Sequence, residues 1–257
     1  MKQLRTEKIL DYAVVSDPLD KCLEVICEWL EGEGRARVFV CANPHSLVLA
    51  EKDPGFKAAI RTADLVTPDG SGIVLASRML GGNIRQRVTG SDVFLGLSRK
   101  LNERGGRRYR YFFLGSTEAN LSAIENRMAV DYPGVEIAGS YSPPFKVTFS
   151  EDDNRKMITA INRVAPDVLW VGMTAPKQEK WIYRHRNALA VRFIGAIGAA
   201  FDFYTGNVKR SHPVFQRMGL EWLPRLVRDP RRLYDRTLVS APKFLGMVLR
   251  DRGLRAR

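Results

Sequence analysis

The order of the apolar runs narrows this chain more than any other feature. The runs "RVFVCAN", "DLVTP", "RYFFLGS", "VEIAGSYS", "DVLWVGM" and "VRFIGAIG" are short, rich in β-branched and aromatic residues, and read as strands. Between them lie "PHSLVLAEKDPGFKAAIRTA", broken at Pro54, then "GIVLASRML", "TGSDVFLGLSRKLNERGG", "TEANLSAIENRMAVDYP", "SEDDNRKMITAINRVAP" and "PKQEKWIYRHRNAL". These read as helices: "TGSDVFLGLSRKLNERGG" has a capped start and a glycine stop, and Thr117 is a plausible N-cap of "TEANLSAIENRMAVDYP". A further helix precedes the first strand, with Leu19, Leu23, Ile26, Trp29 and Leu30 at helical spacing. Strands that alternate with helices are joined by crossovers, so neighbours run parallel and helices cover both faces. The expected class is therefore α/β, a mostly parallel sheet flanked by helices. A chain of 257 residues, 45% of them hydrophobic, is large enough for one such domain with an appendage.

Charge marks where the appendage begins. The formal net charge is +13, and residues 207–257 hold 13 basic and 4 acidic side chains, so most of the excess lies there. After Gly206 the strand pattern stops. The expected division is a catalytic α/β domain over 1–206 and a basic amphipathic appendage over 207–257. That tail mixes arginine with Trp222, Leu223, Leu226, Val227, Leu233, Phe244, Leu245, Met247 and Val248. Arginine among bulky apolar residues suits short helices lying in an anionic headgroup layer. Pro224, Pro230 and Pro242 divide the tail into short pieces. The alternative is a helical hairpin packed on the core. No run approaches ~18 uninterrupted apolar residues. The opening "MKQLRTEKILDYAVVS" lacks a signal peptide's apolar core, and Cys22, Cys27 and Cys41 show no metal or disulfide spacing. The expected location is cytoplasmic, peripheral on the inner face of the membrane. A basic chain also attracts nucleic acid, but no RNA-recognition, KH or zinc-finger signature occurs, so no nucleic-acid partner is expected.

Chemistry should collect at strand ends, where open α/β sheets keep their ligands. Asp69 stands in "TPDGSG", on a glycine-softened turn between a strand and a helix; it either caps that helix or performs chemistry. Asn43 in "CANPHS" is a turn residue or a polar contact. Gly115 in "FLGST" is an ordinary βα turn or one that aims backbone N–H groups at a phosphate. Lys177 and Gln178 in "APKQEKW" are an exposed helix start, or else a phosphate contact and a contact to a sugar or base. Arg87 in "NIRQRVTGSD" is a surface arginine or an anion contact. In a parallel sheet Asn43, Asp69, Gly115, "APKQ" and "GAIG" gather on one edge, which favours a shared ligand site over separate caps. The dinucleotide fingerprint, the P-loop and the nucleophile elbow are all missing, which argues against a nicotinamide oxidoreductase. His45, His185 and His212 are scattered and there is no D-x-D, so no metal site and no cofactor are expected. A bound diphosphate would be neutralised by backbone amides and arginines.

The segments "TADLVTPDGSGIV", "RVTGSD", "FFLGS", "DVLWVGMTAPKQEKW", "IGAAFDFYTGNVKR" and "GLEWLPRLVRDPRRL" together resemble the WecG/TagA/CpsF family of bacterial glycosyltransferases, over roughly residues 38–233. The resemblance implies a Rossmann-like core. It implies inverting, metal-independent transfer of a sugar from a UDP-sugar to an undecaprenyl-diphosphate-linked saccharide, in the synthesis of a cell-surface polysaccharide. Under it Asp69 matches the general base, and Asn43, Arg87 and Gln178 match polar pocket residues. Arg225 and Arg232 match arginines of a C-terminal appendage that closes over the site at the membrane. The chain departs from the family pattern at Cys41, where Thr is common, and at Ser71 and Thr174, which add hydroxyls. The "YSPPF" loop is similar to the exopolysaccharide branch. The resemblance leaves room for a homo-oligomer. A catalytically inactive assembly partner would carry the same motifs.

Overall fold

A computed structural model of the chain describes residues 3–105, 107–208 and 239–255. A two-stranded antiparallel hairpin, β1 (Thr6–Ile9) and β2 (Tyr12–Val15), opens the chain. Then follow α1 (Leu19–Glu31), β3 (Arg37–Ala42), α2 (Pro44–Ala50), α3 (Pro54–Arg61), β4 (Leu65–Pro68), α4 (Ser71–Met79), α5 (Gly90–Asn102) and β5 (Tyr109–Gly115). The order continues with α6 (Glu118–Asp131), β6 (Val135–Tyr141), α7 (Glu151–Val164), β7 (Val168–Gly172), α8 (Lys177–His185), β8 (Phe193–Ala196), α9 (Ala200–Thr205) and α10 (Ser240–Arg255). The six strands β3 to β8 form one sheet in the order β4-β3-β8-β7-β5-β6, and every pairing in it is parallel. The expected α/β class holds, and each strand run read from the sequence is a strand of this sheet.

The central strands of the sheet are buried on both faces because they carry apolar residues at nearly every position, with two destinations. Val38, Val40, Phe112, Leu114, Leu169, Val171 and Ile194 point to one core, which α2, α3, α4, α7, α8 and α10 cover. Phe39, Tyr111, Phe113, Val168, Trp170 and Phe193 point to the other, under α1, α5, α6 and α9. Successive residues of a strand face opposite sides, so an unbroken apolar run is what a doubly covered strand requires.

Two features depart from the sequence reading. The β1–β2 hairpin has no glycine in its turn; Leu10 itself takes φ 55°, so the usual hairpin signal is missing. Among the described residues of the tail, Ser240–Arg255 form a 16-residue helix, α10, which Pro242 near its start does not divide, while Pro224 and Pro230 lie outside the described residues. Phe244 and Val248 of α10 are buried in the core that α2 and α4 share.

Candidate active site

The ends of β3, β4, β7 and β8 meet around one cleft of about 490 Å³ at the carboxyl edge of the sheet. The chain runs from β3 outward to β4, whereas β8 arrives beside β3 from the other half of the sheet. A parallel sheet opens where its strand order reverses in this way, and ligands collect there. Asn43, Asp69 and Gln178 all line the cleft.

Asp69 continues β4 by one residue, its backbone N–H donating to the Ala42 carbonyl at 2.8 Å. It does not take the N-cap position of α4, which Gly70 occupies with φ 96° and no side-chain cap. That φ is open to glycine at little cost. A Cβ on Gly72 would collide with the Pro44 ring, so the second glycine lets α4 approach the start of α2. Cys41 stands beside Asp69; burial first, then the Asp69 charge, hold its thiol well above the usual range. Thr67 donates its hydroxyl to the Cys41 sulfur at 3.6 Å.

Asn43 is the N-cap of α2. Its Oδ1 accepts from the Ser46 N–H at 2.9 Å, and the Ser46 hydroxyl closes a capping box. The cap occupies the carbonyl oxygen, so a ligand would meet the Nδ2 amino group. Thr89, Gly90 and Ser91 bring the start of α5 to the cleft, and Thr89 forms a capping box with Asp92. The first turn of α8 reaches the cleft through Gln178 and Glu179. The starts of α2, α5, α8 and α9 thus face one space, an arrangement that favours an anion.

Other expected residues lie elsewhere. The Lys177 ammonium donates to the Lys146 carbonyl at 2.6 Å and sits 4.7 Å from the centre of the Phe149 ring. Lys177 does not line the cleft, and burial lowers its pKa. Gly115 also stays off the lining: it has φ 112°, and a Cβ there would come within 2.7 Å of the Gly172 backbone. Its side chain is absent so that β5 and β7 can end side by side. Arg87 lies just before the α5 cap, and Val88 N–H donates to the Pro68 carbonyl at 2.8 Å, which sets this segment beside the end of β4. Arg225 and Arg232 lie outside the described residues.

Three lining residues were not singled out from the sequence. His45 places Nδ1 2.8 Å from the Ser240 hydroxyl and so ties the cleft to α10. Asp202 accepts from Asn120 Nδ2 at 3.0 Å, and Asn120 in turn accepts from Asn207, which links α6, α9 and the start of the tail. Glu179 is 5% exposed, and burial raises its carboxyl to about 7. Only adjacency to Gln178 could have flagged Glu179, and a lone acid in an apolar run could have flagged Asp202.

A larger groove, about 730 Å³, lies at the opposite edge among Arg35, Arg107, Arg110, Arg186 and Arg192. Its carboxylate, Asp167, accepts from the Arg110 N–H at 2.9 Å where strands begin, and pairs with Arg107. Arg110 and Arg192 also donate to the Val164 and Leu30 carbonyls. These guanidiniums hold strand starts together, at the edge away from the ligand-binding end of such sheets.

The fold is that of an α/β protein with a cleft at the carboxyl edge of a parallel sheet, where an acid at a strand end stands beside several helix starts. The chain belongs to the glycosyl transferase WecG/TagA/CpsF family, whose model matches residues 7–257. It is 32% identical over 218 residues to an N-acetylglucosaminyldiphosphoundecaprenol N-acetyl-beta-D-mannosaminyltransferase of Bacillus spizizenii, across 85% of this chain and 80% of that one. A Bacillus subtilis protein of the same description is 27% identical over 248 residues, across 96% and 93% of the two chains. One of Staphylococcus aureus (strain MW2) is 26% identical over 206 residues, across 80% and 77%.

Proposed function

We propose that this chain is an inverting, metal-independent glycosyltransferase. It moves a hexose or N-acetylhexosamine from a UDP-sugar to an undecaprenyl-diphosphate-linked saccharide in the building of a cell-surface polysaccharide. The observation that carries this reading is Asp69: it ends a strand in the cleft and leaves the helix cap to Gly70. Relatives whose names give transfer of N-acetylmannosamine to N-acetylglucosaminyldiphosphoundecaprenol support the acceptor class. Asp69 takes the proton of the acceptor hydroxyl as that oxygen attacks the anomeric carbon, and the bond to the diphosphate breaks on the opposite face. UDP leaves with its negative charge met by the starts of α5 and α8 and by arginines, Arg87 near the cleft and Arg225 and Arg232 from the tail. Asn43 and Gln178 orient the donor. The enzyme works at the inner face of the membrane, where its basic tail meets anionic lipid.

The test is Asp69→Asn, assayed in excess chelator with a lipid-diphosphate sugar acceptor and a panel of UDP-sugars. Turnover should fall by ~10²–10⁴, while UDP affinity stays near wild type because the carboxylate does not hold the phosphates. Turnover within a few-fold of wild type would remove Asp69 from the reaction. Wild-type turnover that required a divalent ion would overturn the metal-independent reading of the diphosphate site.

A further inference from the structure

Gln178 and Glu179 form a pair that the start of α8 does not account for. An acid at the third helical position ordinarily reaches back to the N-cap N–H, but the N-cap of α8 is Pro176, which has none to give. Gln178 Nε2 instead donates to Glu179 Oε1 at 2.8 Å. That bond orients the amide and leaves two acceptors, Gln178 Oε1 and Glu179 Oε2, without a partner among the described residues. Both residues line the cleft, at 4% and 5% exposure. Buried acceptors without donors oppose folding, and native structures keep few of them.

The pair also has a definite position. The Gln178 amide packs against Gly198, just after β8, and Gln178, Glu179 and Gly198 line the same cleft as Cys41 at the end of β3 and Asp69 after β4. In the reading of the chain as a UDP-sugar transferase, on which this inference rests, the transferred sugar occupies that cleft. A phosphate, which offers acceptors only, is repelled by two acceptors. Sugar hydroxyls and an acetamido N–H are donors that match them.

We propose that Gln178 and Glu179 recognise the transferred sugar itself, accepting hydrogen bonds from its hydroxyl or acetamido N–H groups. The carboxylate is the form that accepts on both oxygens, and burial holds the empty-site carboxyl near 7. Sugar binding therefore expels a proton, and affinity for the nucleotide sugar rises as pH rises through about 7. The ionisable groups around the same space are Cys41 on β3, His45 on α2, Asp69 after β4 and Asp202 on α9, with Asp92 in the first turn of α5. Comparing wild type with Glu179→Gln separates Glu179 from all of these.

The experiment is calorimetry of the full chain in buffers of different ionisation enthalpy, with UDP, UDP-N-acetylmannosamine and UDP-glucose as probes. Wild type should bind a nucleotide sugar more tightly above pH 7 than below it and release part of a proton near pH 7. Glu179→Gln should bind that sugar about 10-fold more weakly above pH 7, with no pH slope and no proton release, and should bind UDP as wild type does. Gln178→Ala should weaken the nucleotide sugar and spare UDP. Equal weakening of UDP and UDP-sugar, or a wild-type pH slope kept in Glu179→Gln, would overturn the assignment. If wild type binds UDP but no UDP-sugar, or neither, the transferase reading fails and takes this one with it. Thermal melts of each variant show that the comparison is between folded proteins.

Discussion

At the scale of single residues, Glu179 stores a conflict that can be read without any ligand. Its carboxyl has an ordinary value of 4.5, which the unfolded chain restores, and a folded value of about 7 set by burial. Between these two values the unfolded state has lost the proton and the folded state still holds it. Raising the pH through that window therefore favours unfolding, and above about 7 the penalty is constant. At about 1.4 kcal/mol per unit of displacement, the ionised carboxylate costs the fold roughly 3 kcal/mol. Glu179→Gln removes the titration and keeps the shape. Denaturant melts should show the variant gaining on wild type steadily from pH 4.5 to about pH 7 and holding that gain above it. A gap that stays level across the window would mean that Glu179 ionises in the fold as it does in water. Gly115 has a packing duty of its own: with φ 112° and no Cβ it lets the end of β5 lie against the Gly172 backbone.

At the scale of elements, the start of α2 has two duties that one substitution pair can separate. Asn43 holds the helix through Oδ1 and also lines the cleft. Asn43→Ala should lose the cap, about 1 kcal/mol, as well as turnover. Asn43→Ser keeps a good cap and removes only the amino group, so it should melt like wild type and still turn over poorly. Wild-type turnover in Asn43→Ser would reduce Asn43 to a capping residue. Elements of this kind were legible in the chain because most sheet strands are runs of large apolar residues and helices such as α5, α6 and α7 open on capping residues. The β1–β2 hairpin was not, because its turn depends on Leu10 rather than glycine. Asn43, Asp69 and Gln178 were legible as polar residues at strand ends. Lys177 sits one position from Gln178, and that step around the helix turns its ammonium from the cleft to the Lys146 carbonyl. Periodicity indicates which residues begin a helix, and only packing decides which way each one faces.

At the scale of the molecule, helix α10 packs on the α/β core. Phe244 and Val248, four apart on α10, enter the core beside α2 and α4, and Ser240 touches His45 at the cleft. Leu245 and Leu249, also four apart, are 37% and 51% exposed, and Leu75 of the neighbouring α4 is 50% exposed. Lys243, Arg250 and Arg252 stand exposed on the same helix. An apolar stripe beside basic side chains fits an anionic bilayer surface, where each base adds ~1 kcal/mol and each leucine inserts its side chain. One helix would then serve both as part of the core and as a membrane contact, keeping the cleft close to a lipid-linked acceptor. A chain cut after Asn207 cannot test this, because it also strips Phe244 and Val248 from the core. Two variants can. Phe244→Ala should cost about 3–5 kcal/mol of stability, as expected for a buried aromatic. Leu245→Asp with Leu249→Asp should leave the melting temperature close to wild type, since neither side chain is buried. It should sharply reduce sedimentation with vesicles containing phosphatidylglycerol and slow transfer to lipid-linked acceptor, but not to a short-chain soluble one. If the double variant pellets as wild type does, α10 belongs to the core alone, and any hold on the membrane lies in residues 209–238.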